Sequence, residues 1–429
     1  MGCLDIPNET IFTMEMTPIK FGPGATEEVP YDLKRLGVRH ALLVTDGGLM
    51  KLGLPERVRA LIQDAGISVD IFDDVHIEPT DRSFEQIASF VHGRDYDGFV
   101  AIGGGSVIDS TKAANLFTTY PAPVMDYINK PIGKGLPVPG PLKPLIAIPT
   151  TAGTGSETTA VAVLDVLALK VKTGISHRTL RPTLAIIDPL NTVTLPPMAT
   201  AYPGFNVLTH ALESYTSRPY DARPRHKPDE RPVYIGSNPV SDLWCEKALE
   251  YTGRYLRRAV LNGMDVEART YMALAATYAG IGFGNAGVHV PHSIAYPIAG
   301  LVKNFSPPDY PKHEPMIPHG LSVVLTAPTT FRWTYPTNPE RHLRAAQLLG
   351  ADVSGLSSAA MPEVLSRTLL SLMRDTGVAN GLSALGYGTE DVPALIDGTL
   401  KQQRLLVNCP REVGADELRM IIENSFEQW

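Results

Sequence analysis

Short apolar runs alternate with amphipathic stretches through the first half of the chain. ALLVTD (41–46), VDIFDDV (69–75), GFVAIGGGS (98–106), LIAIPTT (145–151) and TLAIIDP (183–189) each read as a buried strand, and residues 17–22 as an earlier one. Between them, LPERVRALIQDAG (54–66) sets Leu54, Val58, Leu61, Ile62 and Ala65 on one helical face and stops at a glycine. SFEQIASFVHG (83–93) and SVIDSTKAANLF (106–117) follow the same period, the second with Ser106 as its expected cap. Alternation of strand and helix with short connections predicts a doubly wound parallel sheet. From about Asn191 only the helical period persists, over 199–218, 239–262, 265–281, 319–333, 358–377 and 390–406. The expected plan is an α/β domain over 1–193 and an all-α domain over 194–429, divided near the prolines of LNTVTLPP.

Composition narrows the class. The chain has 429 residues, 44% hydrophobic and 19% charged, enough for two cores. A net charge of −7 with no basic stripe argues against nucleic acid and anionic membranes as partners. The uncharged stretch from Tyr271 to Val290 is broken by Gly280, Gly282, Gly284 and Gly287, so it predicts a buried helix and turn rather than a membrane span. Cys3, Cys245 and Cys409 share no metal or disulfide spacing. Gly2 fails as a myristoylation start because Ile6 stands where a hydroxyl is needed. The acidic start, with no basic residue before Lys20, predicts a cytoplasmic protein. Between Arg218 and Gly236 a Pro- and Arg-rich stretch predicts a surface loop. There Arg223, Arg225 and Arg231 are read either as solvated charges or as carboxylate-binding groups.

Two glycine- or threonine-rich turns carry the first chemistry. Gly103, Gly104, Gly105 and Ser106 end a strand and open a helix, where bare backbone and free N–H groups suit a diphosphate. Pro149 through Glu157 leave another strand with hydroxyls at Thr150, Thr151 and Thr154. Two such turns after parallel strands predict a dinucleotide site. Asp46, at the end of a strand, reads as a turn residue or as a ribose acceptor that favours NAD over NADP. Lys172 either offers a cation to the coenzyme or lines a strand. The formal GxGxxG at Gly282, Gly284 and Gly287 follows a helical pattern and is expected to shape a helix junction.

The second half supplies His210, His292 and His319, three imidazoles that suit zinc or divalent iron with one position left open. Asn206 lies four residues before His210, on the same helical face. His40, His76, His92, His177, His226, His313 and His342 are expected to be structural or on the surface.

With these motifs the chain resembles the iron-containing alcohol dehydrogenase family over nearly its whole length. The GGGS turn, the PTTAGTGSE turn, the helix with Asn206 and His210, the later His292, and Pro318-His319-Gly320 stand in the family's order. EPTD (78–81), DYINKPIGKG (126–135), GSNPVSD (236–242), YPIAGLVK (296–303) and PHGLSVVLT (318–326) further resemble its subgroup of hydroxyacid–oxoacid transhydrogenases. The resemblance implies the two-domain fold shared with dehydroquinate synthases. It implies NAD touched by Asp46, Gly104, Gly105, Ser106, Asp109, Thr150, Thr151, Thr154 and Lys172. It also implies Fe2+ or Zn2+ held by His210, His292 and His319, and a homodimer as the family's default. The subgroup oxidises 4-hydroxybutyrate and reduces 2-oxoglutarate on NAD that stays bound. Two departures stand out. Asn206 replaces the family's metal-binding Asp, which weakens the expected site. Tyr296 stands where many members carry a histidine, and is read as a proton relay or as packing. Two other readings remain on the same scaffold: a metal-independent reductase of a specialised pathway, and a non-redox cyclase or lyase.

Overall fold

The computed structural model describes residues 8–169, 171–228, 230–310 and 314–429. Gly2, Cys3 and His313 lie outside the described residues. The chain forms two compact units, one of Met16–Leu195 with Gly263–Ala273, the other of Pro196–Asn262 and Leu274–Trp429 together with residues 8–15. These units are not contiguous halves. Ala273 packs with Ala185 and Ile187, and Arg269 donates to the carbonyls of Gly263 and Leu195. Residue Glu9, far from the helical unit in sequence, accepts from Arg231 at 3.1 Å.

The first unit contains β1 (Ile19–Phe21), α1 (Val29–Arg35), β2 (His40–Val44), α2 (Gly47–Leu52), α3 (Leu54–Asp64), β3 (Ser68–Phe72) and α4 (Asp81–Val91). It continues with β4 (Gly98–Gly103), α5 (Gly105–Thr119), α6 (Val124–Tyr127), β5 (Leu145–Pro149), β6 (Val161–Val166), β7 (Val171–Ser176) and β8 (Leu184–Ile187). The six-stranded sheet has the order β1-β8-β5-β4-β2-β3, with every pairing parallel. Alternate residues of β2 serve opposite faces, as the two-residue period requires. Leu42 and Val44 join Phe84, Ile87 and Val107 on one side, while Ala41 and Leu43 join Val29, Leu33, Val58 and Ile62 on the other. Both faces are therefore covered, which is why the strands read as continuous apolar runs. The strict alternation expected from sequence does not extend to β6 and β7. They pair antiparallel as a separate hairpin, from Val161 opposite Ser176 to Val166 opposite Val171.

β2 pairs with both β3 and β4, so the chain leaves β2 in one direction and returns past it. That reversal opens a crevice beyond the carboxyl ends of β2 and β4. The turns after β2, β4 and β5 lie at this edge and are tied together. Thr45 Oγ1 donates to Ile102 O at 2.9 Å, and Thr150 N donates to Gly103 O at 3.0 Å.

The second unit is helical: α7 (Pro197–Thr216), α8 (Pro239–Leu261), the part of α9 (Val266–Ala286) from Leu274 onward, α10 (Val290–Gly300), α11 (His319–Val324), α12 (Ala327–Thr334), α13 (Pro339–Leu348), α14 (Met361–Asp375), α15 (Val392–Leu400), α16 (Gln403–Leu406) and α17 (Ala415–Glu423). The helix expected over 319–333 is two, with Pro328 in the first turn of the second, where its missing N–H costs nothing. The stretch 390–406 likewise divides into α15 and α16. Gly287 ends the α9 region with φ of 90°, the junction expected of the glycine pattern there. Among the described residues no helix is long and apolar enough to cross a membrane.

Candidate active site

α7 organises the site. Asn206, His210 and Glu213 fall at i, i+4 and i+7, which stacks them along one face, and all three are buried. His292 follows on α10, whose Pro291 sits in the first turn. His319 is the first residue of α11, and Gly320 explains how that helix reaches α7. A Cβ at 320 would lie 1.8 Å from Tyr202 O and 3.2 Å from the Asn206 Cβ, so only glycine permits this approach.

The three imidazoles of the expected ligand set lie near one another. His210 stacks on His292 at 4.6 Å between ring centroids, and His292 meets His319 edge-on at 5.2 Å. Phe283 of α9 covers the other face of His210 at 3.8 Å. Among the described residues, no group of three or more His, Cys, Asp or Glu side chains is drawn together as a metal cage. The rings share a chamber without surrounding one point. Within it Asn206 Oδ1, His210 Nδ1 and His292 Nε2 are buried with no hydrogen-bond partner.

Glu213 was invisible to the sequence reading, though the Asn206–His210–Glu213 spacing is the signal that finds it. Its carboxylate accepts His292 N at 3.0 Å and pairs with His292 Nδ1. A proton held between Nδ1 and the carboxylate leaves Nε2 as the bare lone pair. Burial pushes Glu213 up to about 7, against the pull of His289 and two backbone N–H groups. Burial, reinforced by the cation of Arg404, holds His292 down to about 3. His210 is also held well below the usual imidazole range by burial and by its two histidine neighbours. Both are therefore neutral donors at neutral pH. His289, also missed, is a buried neighbour that shares a hydrogen bond with Thr216 at 3.3 Å.

Tyr296 is buried on α10, its ring 6.1 Å from that of His319. Its hydroxyl accepts from Arg404 Nη2 at 3.1 Å. The other arginines considered for a carboxylate are otherwise engaged or remote. Arg223 donates to Tyr234 O and Asn408 Oδ1, Arg231 pairs with Glu9, and Arg225 is exposed.

In the α/β unit the predicted coenzyme residues divide into two groups. Gly104, not Ser106, caps α5, and Ser106 Oγ instead accepts Glu78 N at 3.1 Å. A Cβ at Gly105 would lie 2.5 Å from the Thr154 side chain, so the two turns touch at bare backbone. A Cβ at Gly104 would meet Thr151 at 3.5 Å, an ordinary contact. Asp46 Oδ1 caps α2 through Gly48 N and Leu49 N at 2.9 and 3.0 Å. By contrast, Asp109 and Lys172 are taken up internally. Asp109 receives Ser156 Oγ, Lys112 Nζ and Val163 N, the last at 3.0 Å. Lys172 Nζ pairs with Glu78 at 2.7 Å and Asp165 at 2.9 Å. Burial opposes its charge, but Asp165 and Glu78 together outweigh that and raise its pKa.

The model of the family "Iron-containing alcohol dehydrogenase" matches residues 17–189, and that of its C-terminal domain matches 230–426. The mitochondrial hydroxyacid-oxoacid transhydrogenase of Bos taurus is 47% identical, over 97% of this chain and 90% of its own length. A 1,3-propanediol oxidoreductase crystal structure superposes with a TM-score of 0.84 at 31% identity, over 97% of this chain and all of that one. Sulfoacetaldehyde reductase from Bifidobacterium kashiwanohense, solved with NAD+, gives 0.80 at 25% identity, over 98% of this chain and all of that one. The transhydrogenase relatives are named as mitochondrial, which overturns the cytoplasmic expectation. The acidity of the first residues speaks only for those residues and could not carry it. With both halves of the family model matched in order, this chain belongs to the iron-containing alcohol dehydrogenases, oxidoreductases that act on CH–OH groups.

Proposed function

We propose that this enzyme moves hydride between NAD and a small hydroxy acid or oxo acid. A divalent metal, iron or zinc, would be held by His210, His292, His319 and Asn206. The observation that carries this reading is the group of buried, unsatisfied donor atoms on Asn206, His210 and His292. Each such group costs about 1–3 kcal/mol when left unpaired, so several in one chamber mark a place kept for a guest. The donor set fits a cation, since burial keeps the imidazoles neutral and no proton must leave before coordination. The names of the transhydrogenase relatives and the NAD+ complex of the sulfoacetaldehyde reductase support the substrate class and the coenzyme.

Bound metal supplies Lewis acidity toward a carbonyl or alkoxide oxygen, and NAD supplies the nicotinamide carbon that takes or gives hydride. The remaining work belongs to the chain. Glu213 holds the Nδ1 proton of His292 and so aims Nε2 into the chamber. Phe283 excludes water from one face of His210. Tyr296, oriented by Arg404, offers a hydroxyl for the proton of the alcohol. In the α/β unit Gly104, Gly105, Ser106, Thr150, Thr151 and Thr154 would receive the diphosphate, and Asp46 would face the ribose and disfavour NADP. Asp109 and Lys172 are spent on internal partners, so we assign them to holding the coenzyme turns in place rather than to touching the coenzyme. The homodimer is the assembly we expect, to be tested by sedimentation.

A second reading is favoured by one observation, the amide at 206. It leaves the site one negative charge short, and the same reduction could then run without metal. Asn206→Asp separates the two. Under the main reading, metal affinity rises by about 10-fold or more and activity after chelation and add-back rises with it. A chelated, metal-free protein that keeps full activity would remove the Lewis acid while leaving hydride transfer standing. Absence of both hydride exchange between two substrates and net NADH change would favour the cyclase or lyase instead.

A further inference from the structure

Arg404 lies on α16 beside the histidine chamber, and no Asp or Glu among the described residues pairs with it. The groups that contact it are neutral phenols. Its Nη2 donates to Tyr296 at 3.1 Å, its guanidinium stands 5.9 Å from the Tyr296 ring centroid, and Tyr234 is its other hydroxyl partner. A guanidinium carries five donors in a fixed fork, and phenols can orient that fork without compensating its charge. Two other arginines of this unit are neutralised, whereas Arg223 is held by the Tyr234 carbonyl and the Asn408 amide. Arg341 pairs with Asp242, and Arg231 pairs with Glu9. Arg404 is partly exposed, so its fork is not sealed off.

Its placement ties it to the reacting region. Tyr296, Tyr234, Phe283 and Leu405 form one apolar cluster, and Phe283 stacks on His210. One aromatic ring thus separates a free cation from the imidazoles. A small acid whose carboxylate lies three or four bonds from its carbinol carbon spans on the order of 5 Å.

We propose that Arg404 receives the substrate's carboxylate and makes the enzyme selective for small acids over neutral alcohols of equal length. This specificity role rests on the hydride-transfer function proposed above. A planar fork matches a carboxylate with two parallel hydrogen bonds, and a cation without a counter-charge favours an anionic substituent over a neutral one.

The test compares 4-hydroxybutyrate with 1-butanol, and butyrate with butyramide as inhibitors, in the wild type, Arg404→Lys and Arg404→Met holoenzymes. In the wild type, butyrate inhibits at least about 10-fold better than butyramide. Arg404→Met loses about 100-fold in kcat/KM for the acid, mainly through KM, and at least about 10-fold less for butanol, whose loss reflects only the lost orientation of Tyr296. Arg404→Lys falls between, because it keeps charge but not the fork. Added guanidine restores part of the acid activity of Arg404→Met and leaves that of butanol alone. Equal losses on acid and alcohol, or equal inhibition of the wild type by butyrate and butyramide, overturn the Arg404 assignment and leave the function intact. A wild type that turns over neither hydroxy nor oxo acids overturns both. Should Arg404→Met fail to fold, the wild-type inhibitor pair and Arg404→Lys still decide the matter.

Discussion

The two units treat buried polarity in opposite ways. In the α/β unit the two buried lysines near the glycine- and threonine-rich turns, Lys112 and Lys172, are answered. Lys112, wholly enclosed, donates to Ser156 and to Val161 O at 2.7 Å and lies 3.3 Å from Asp109. Lys172 has two carboxylates. In the helical unit, the chamber around α7 keeps lone pairs on Asn206, His210 and His292 without partners, and Arg404 without a counter-charge. Satisfied networks hold backbone in place, whereas unsatisfied ones reserve binding energy for something that arrives later. The contrast separates residues that position from residues that bind, even where both types are buried to the same degree.

The strongest way to break the comparison is to unbalance the satisfied network. Asp109→Ala leaves Lys112 buried without its carboxylate, and burial already opposes that charge. We expect a loss of about 3–5 kcal/mol in urea unfolding. A loss below about 1 kcal/mol would mean the network is not what holds the turns. The next effect falls on the unsatisfied chamber. Glu213→Gln replaces the carboxylate that orients His292 with a neutral, weaker acceptor, and metal affinity should drop about 10–100-fold in a chelator competition while thermal stability changes little. Unchanged affinity with a large fall in Tm would make Glu213 a purely structural group.

The smallest effect concerns pH. Burial holds His342 down to about 4, below the imidazole value of 6.5. The unfolded chain therefore takes up a proton that the folded chain refuses. Stability from this group is present above pH 6.5 and is lost as pH falls from 6.5 toward 4. His342→Gln should flatten the urea midpoint between pH 6.5 and 4.5 by an amount worth on the order of 2 kcal/mol. An identical slope in the variant would remove His342 from the account. Arg404 and Asn206 complete the set, since both tests above act on groups that the chamber leaves unanswered.

Strands and helices of the first half were legible because burial on both faces writes itself as uninterrupted apolar runs. β6 and β7 escaped because VAVLDV and VKTGIS mix apolar and polar residues in a hairpin that only one cluster covers. The prolines of α10 hid a helix, since Pro291 in a first turn looks like a break when read alone. In the site, His210, His292 and His319 were legible through their motifs, while Glu213, Arg404 and the role of Asp109 were not. The carboxylate at i+7 shares the helical face of Asn206 and His210, but an arginine 112 residues beyond His292 and a lysine one turn from an aspartate have no local meaning. Their partners come from other elements.

Hydrophobic period and motif order were enough to read the α/β and helical parts and the family, because both are local properties of the chain. Only the tertiary structure decided which charges are answered and which are left open. Compensation is a matter of distance in space, and the neighbours of Lys112, His292 and Arg404 are set by how helices and strands pack.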